Sequence, residues 1–310
     1  MFRWQYIIPI ILIISGCNLL SEKSEKVKDL SEVNLKAYSI QELPYHEMPY
    51  IREYVRSMTM DAFDQDSVPM YVYDGTPYYH PVYISALGIS FVDGYVRTGD
   101  PDYLKLSKRI ANRLVENANQ ANDKFLFPYN FDYTYSSGDF LKSPWYSGMA
   151  QGRILTFFTR LYNVTGDPKY SEWASKTFES LKLLKSQEEQ WISLIDVEGY
   201  FWIEEYIIEK PVHVLNGFIF ATFGLYDYYL MTQDEEVLKL LQASITTIER
   251  YISDYRNPGG ISFYDLNNKP TKEFYHGVHI SQLNTLHKIT GEQYFKTMAD
   301  SLENDYPAPD

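Results

Sequence analysis

Two adjacent carboxylates and a phenol, Glu204, Glu205 and Tyr206, end a stretch rich in aromatic and β-branched residues. Tyr200, Phe201, Trp202 and Ile203 make that stretch read as a strand. A few residues later Pro211 supplies a backbone angle suited to the first turn of a helix. From Val212 the chain is almost continuously apolar as far as Leu230, with small Gly217, Ala221 and Gly224 among the large side chains. A helix apolar on nearly every side is a buried one. Carboxylates, a phenol and His213 therefore gather at the amino-terminal mouth of a buried helix. Such side chains take and return protons, and the unpaired N–H groups there favour an anionic ligand.

The elements that must position this cluster recur along the chain. Thr98-Gly99-Asp100-Pro101, Thr165-Gly166-Asp167-Pro168, Thr232-Gln233-Asp234 and Thr290-Gly291-Glu292 are versions of one turn at near-regular spacing. Gly stops one helix, Asp caps the next and Pro occupies its first position. Each turn follows an apolar run and precedes an amphipathic one (103–118, 170–184, 235–252, 293–303), and a β-like segment precedes each apolar run (71–75, 124–135, 191–206, 260–275). Met48, Ile51, Tyr54 and Val55 predict a first helix over 45–62. Four repeats of hairpin, inner helix, turn and outer helix predict an all-α fold, an α/α toroid with short β-hairpins at one end. The loops entering the inner helices then share that end. They contain His80, His213, His276 and His279, four of the six histidines. A funnel lined by rings, imidazoles and helix amino termini suits an acidic sugar.

Composition bounds the alternatives. The chain has 310 residues, 45% of them hydrophobic, enough for one large domain. A net charge of −13 argues against a nucleic-acid groove. The 29 Tyr, 17 Phe and 5 Trp offer rings on which sugars stack, beyond those the core absorbs. The lone cysteine, Cys17, rules out a disulfide framework. It follows a basic start, a short apolar run from Tyr6 to Ile14 and Ser15-Gly16. That pattern resembles the lipobox of bacterial lipoproteins and is too short to span a bilayer. It predicts a signal peptide over 1–17, lipidation of Cys17, a membrane-anchored location in the periplasm or at the bacterial surface and a polar flexible tether over 18–42, which leaves 43–310 as the α/α-barrel domain. No P-loop, dinucleotide fingerprint, H-E-x-x-H or nucleophile elbow is present. His276 and His279 lack a nearby third ligand, so no metal and no cofactor is expected.

The motif Ser143-Pro144-Trp145-Tyr146-Ser147-Gly148-Met149-Ala150-Gln151-Gly152 resembles one in the D-glucuronyl C5-epimerases. So do Glu204-Glu205-Tyr206, Val214-Leu215-Asn216-Gly217-Phe218, Gly224-Leu225-Tyr226-Asp227, Tyr264-Asp265-Leu266 and Tyr275-His276 with His279-Ile280 and Gln282-Leu283. Order and approximate spacing agree from about residue 80 onward. The resemblance implies the helical domain of that family, without the β-rich region preceding it in animal enzymes, acting on glucuronate in a heparan-type polysaccharide. It implies catalytic roles for Tyr206, Tyr264 and Tyr275, with Glu205 beside them as a further acid or base. Glu204, Trp145, Tyr146, Gln151, Arg153, Asn216, His276 and His279 are the corresponding substrate contacts. C5 of a uronate is α to a carboxylate. Inverting it needs proton-transfer groups on both faces of the ring and neutralisation of the growing charge. A phenolic base would need acidifying neighbours. Where the family has a basic residue after the Tyr-Asp-Leu motif this chain has Asn267. Carboxylate binding then falls to Arg153, the inner-helix amino termini, or His276 and His279. A polysaccharide lyase and a non-catalytic glycan-binding lipoprotein are the competing readings.

Overall fold

The four repeated turns fold as the capping chemistry dictates. In the computed structural model, which describes residues 29–50, 62–121 and 123–307, they join α1 (Pro81–Thr98) to α2 (Pro101–Asn117), α3 (Gly148–Thr165) to α4 (Pro168–Ser180), α5 (Leu215–Thr232) to α6 (Glu235–Tyr251), and α7 (Glu273–Thr290) to α8 (Gln293–Asp305). Gly99, Gly166 and Gly291 adopt left-handed angles at φ 72°, 65° and 71°, and Gln233 does the same at φ 53°. The left-handed region is open to glycine at little cost. Asp100, Asp167 and Asp234 accept from the N–H two residues on, at 2.9, 3.2 and 2.8 Å.

The odd-numbered helices form the inner layer and the even-numbered ones the outer layer, so the architecture is an α/α toroid of four hairpins. The core is densest where α3 crosses α5. A Cβ on Gly152 would collide with Ala221, and one on Gly224 with the Gly152 carbonyl. Each small residue thus lets the two backbones approach. Arg160 of α3 and Asp227 of α5, both almost fully buried, pair at 3.0 Å behind that crossing.

Short antiparallel pairs cap one end. Strands β1 (Ala62–Phe63), β2 (Pro69–Tyr73) and β3 (Thr76–Tyr78) precede α1. Strands β4 (Asn119–Ala121) with β5 (Lys124–Leu126), and β6 (Tyr133–Thr134) with β7 (Phe140–Leu141), precede α3. The pair β8 (Ser193–Ile195) and β9 (Phe201–Ile203) precedes α5 in the register Leu194–Trp202. The fourth expected hairpin, over 260–275, is not a hairpin. It is a loop with a single bridge, Phe263 to Pro270. α7 begins at Glu273, because His276, His279, Leu283 and Leu286 recur at helical spacing and bury one face.

Two further expectations change. Most of the expected first helix, 51–61, lies outside the described residues; of its described part only Tyr45–Glu47 is helical, as one 3₁₀ turn. The flexible tether over 18–42 does not extend to its stated end. From residue 29 the chain is a strap laid across the toroid. Asn34 pairs with the Gly199 carbonyl at 2.8 Å, Gln41 with the Ile289 carbonyl at 2.7 Å, and Leu43 with the Tyr226 hydroxyl at 3.0 Å. Tyr38 and Leu43 are buried apolar anchors in that strap, which is why a polar segment stays ordered. The signal segment and Cys17 lie outside the described residues.

Candidate active site

The inner helices surround a cleft of about 1130 Å³ that opens at the strand-bearing end. Residues 46–50 of the strap form part of its wall, with Tyr50 stacked on Phe220 at 5.3 Å. A carboxylate enters the cleft from the end of β9. Successive residues of an extended chain face opposite sides, and this separates the two adjacent glutamates. Glu204 points inward, 1% exposed, and binds His213 Nδ1 at 2.6 Å. Glu205 points into the cleft. It lies against Gly217 of α5, where any Cβ would strike its Oε2 atom. Glycine at 217 is thus the condition for Glu205 to occupy this place.

Tyr206 follows directly. Its ring packs against Tyr135 at 4.6 Å and stacks on Tyr133 at 5.7 Å. Tyr264 arrives from the loop before α7. That loop is zipped to the start of α5 by Leu215 N–H to the Tyr264 carbonyl (3.1 Å) and Leu266 N–H to the Val212 carbonyl (3.0 Å). Tyr275, in the first turn of α7, sets its ring edge-on to Tyr264 at 5.5 Å. The three tyrosines expected to share a site do converge, from three separate segments. Tyr206 and Tyr264 both lie beside the Glu205 carboxylate and favour its ionised form. Its Oε2 atom has no hydrogen-bond partner among the described residues.

These contacts set the protonation states. Burial pushes the Glu205 carboxyl up to about 7, with the two phenols and Arg153 opposing and Glu204 adding to the rise. Burial, followed by the Glu205 charge, holds Tyr206, Tyr264 and Tyr275 above the ordinary phenol range. The expectation of an acidified tyrosine base is therefore reversed. Among these four groups the carboxyl titrates near neutrality, and the phenols are neutral donors.

Arg153, one turn into α3, lies over the rings of Tyr50 and Phe220 at 5.0 and 4.9 Å and lines the cleft. Asn216 lines it from the first turn of α5, and Trp145 lines it while stacking on Tyr129 at 3.9 Å. The Trp145 indole is fixed by its N–H to the Phe131 carbonyl at 2.8 Å. Five other expected contacts do not line the cleft. Glu204 is occupied by His213, as described. Tyr146 is buried and accepts from Asn119 at 3.2 Å. Gln151 is buried between α3 and β5, donating to the Phe125 carbonyl at 2.7 Å and accepting from Phe127 N–H at 3.0 Å. His276 and His279 are fully buried on either side of the Ser262 hydroxyl, at 2.8 and 2.9 Å. Burial pushes the His279 imidazole down to about 3, so it is neutral and supplies no cation. Of the side chains expected to bind a carboxylate, Arg153 lines the cleft and the two histidines do not.

Gln282 in the cleft, and Tyr135 and Lys269 beside Tyr264, receive no role from the sequence. Gln282 lines the cleft and donates to the Asn216 carbonyl at 2.9 Å. Its Oε1 and the Asn216 Oδ1 are buried acceptors with no hydrogen-bond partner among the described residues, available to a substrate's hydroxyls. Tyr135 donates to Asp265 at 2.7 Å. Lys269 holds its ammonium over the Tyr135 and Tyr264 rings at 4.8 and 4.9 Å. A cation thus stands near the position where Asn267 lacks one. The signal for Gln282 was its place one helical turn beyond His279. Lys269 had none, because its side chain folds back from the far side of a loop.

Comparison with known proteins bears on family and fold. In Methanocaldococcus jannaschii, Uncharacterized protein MJ1128 is 26% identical over 193 residues, covering 60% of this chain and 59% of that protein. The D-glucuronyl C5-epimerase of Caenorhabditis elegans is 27% identical over 175 residues, covering 50% of this chain and 28% of that enzyme. The chain thus spans less than two thirds of these relatives. Among solved structures, cellobiose 2-epimerase from Bacillus thermoamylovorans B4167 superposes with a TM-score of 0.56 at 13% identity, over 82% of this chain and 66% of that one. The GH76A alpha-1,6-mannanase from Salegentibacter sp. HEL1_6 superposes with a TM-score of 0.53 at 21% identity, over 76% of this chain and 63% of that one. Those two enzymes do different chemistry on one toroid, so they speak to fold alone. The sequence profile of the D-glucuronyl C5-epimerase C-terminus matches residues 120–304, which include Glu205, the three tyrosines, Arg153 and Asn216, and the chain belongs to that family.

Proposed function

We propose that the chain inverts C5 of D-glucuronate residues in a polysaccharide, giving L-iduronate, by removing a proton on one face and returning one on the other. The observation that carries this reading is a shared carboxylate: Glu205, with a pKa of about 7, lines the cleft beside phenols from two different segments. Glu205 takes the C5 proton. The C–H electron pair moves into the C5–C6 bond, and the sugar's carboxylate becomes an enediolate whose added charge faces the Arg153 guanidinium. A phenol of the Tyr206–Tyr264 pair gives its proton to the opposite face of C5. The C5–C6 bond returns to single, and a tyrosinate remains. Once the product has left the space between them, Glu205, now a neutral acid, passes its proton back to the phenolate, restoring both groups. A carboxyl that titrates near working pH serves both directions of this exchange.

Incubation of the protein with a glucuronate polymer in D₂O tests the reading. Deuterium at C5 together with new iduronate signals is the expected result. Appearance of an unsaturated uronate would instead indicate β-elimination, in which the same first step expels the C4 substituent. Binding without any exchange would leave a glycan-binding protein. We further propose that the leader and Cys17 hold this activity at a bacterial membrane.

A further inference from the structure

The aromatic series of the cleft continues past its rim. Phe274, the second residue of α7, is 64% exposed and sits edge-on to Tyr275 at 5.3 Å. It lines the cleft and also a second, shallower hollow, together with Gly259, Gly260, Thr271, Lys272 and Tyr306. Glycines at 259 and 260 leave that hollow's edge without side chains. The Thr271 hydroxyl in its wall is buried with no hydrogen-bond partner among the described residues. Lys272 is exposed and precedes a helix that no side chain caps. Glu273, the acidic neighbour, is engaged by the Tyr306 hydroxyl at 2.5 Å. A large ring on a ridge between two hollows, with a cation and an unsatisfied hydroxyl beyond it, suits an anionic sugar that stacks on one face and is hydrogen-bonded at its edge.

We infer that this hollow is a second glycan subsite. It takes the segment of the same uronic-acid polysaccharide that adjoins the residue at Glu205, and the chain passes over Phe274. The inference rests on the cleft being a polysaccharide-processing site, and it makes the enzyme one that works within chains. The test compares wild type, Phe274→Ala and Phe274→Trp on a glucuronate polymer and on the shortest uronate oligosaccharide that supports exchange, reading C5 deuteration in D₂O. For Phe274→Ala, KM on the polymer should rise about tenfold with kcat little changed, and the penalty should grow with chain length. Phe274→Trp should recover most of the loss. Equal penalties on short and long substrates, or none on either, overturn the subsite and leave the catalytic reading standing. A wild-type protein that exchanges deuterium into no uronate overturns the catalytic reading and the subsite with it.

Discussion

Replacing Glu205 with Gln should abolish exchange and stabilise the fold, and the second effect depends on pH. The folded chain holds this carboxyl at about 7 against an ordinary 4.5. At about 1.4 kcal/mol per pKa unit, keeping it ionised in the fold costs about 3 kcal/mol. The sign follows from proton counts. Between 4.5 and 7 the folded chain holds the proton and the unfolded chain has lost it, so the carboxyl's contribution to stability declines as pH rises through this window. Below it the contribution is fully present, and above it none remains. Glutamine carries no such cost, although it forgoes the favourable interaction of the charge with Tyr206, Tyr264 and Arg153, which trims the gain. Urea unfolding of wild type and Glu205→Gln at pH 5 and pH 8 should show the variant gaining on wild type by about 2–3 kcal/mol at the higher pH. Exchange at C5 should fall at least about 10²-fold in the variant. An unchanged stability difference at the two pH values would refute the buried, near-neutral carboxyl. Exchange persisting in the variant would refute its role as base.

Other outcomes follow from the same geometry. Tyr206→Phe and Tyr264→Phe remove the donor oxygens and keep the rings, so kcat should drop about 10²–10⁴-fold with unchanged circular dichroism. If neither falls, the return of the proton does not use this pair. Arg153→Met should lower kcat/KM about 10²-fold. Because Arg153 lowers the Glu205 pKa, the acidic limb of the kcat/KM profile should move to higher pH in this variant, and a limb that stays in place counts against the pairing. Cys17→Ser should shift the protein from the membrane to the soluble fraction and abolish labelling by a radioactive fatty acid; a membrane fraction that keeps the variant counts against the anchor.

Chemistry local to a few residues could be read before folding. The turns at Gly99, Gly166, Gln233 and Gly291 are capped by their own neighbours, so their types alone announce four helical hairpins and hence a toroid. The proximity of Glu205 and Tyr206 is covalent, and the motifs around Asn216, Tyr264 and Tyr275 lie where the inner helices begin. What the strap does was not legible, because its order comes from distant partners such as Gly199, Tyr226 and Ile289. The start of α7 at Glu273 was also hidden, since aromatic residues there fit strand and helix equally until one face is buried.

The sequence by itself determined the toroid and the chemical types gathered at one end, because caps, apolar periodicity and residue identity act over short distances. Only the tertiary structure decided which of two adjacent glutamates meets the cleft, that His276 and His279 are interior supports, and that burial lifts the phenols instead of acidifying them. Facing, burial and desolvation are properties of what surrounds a side chain, and residues far apart in the chain supply those surroundings.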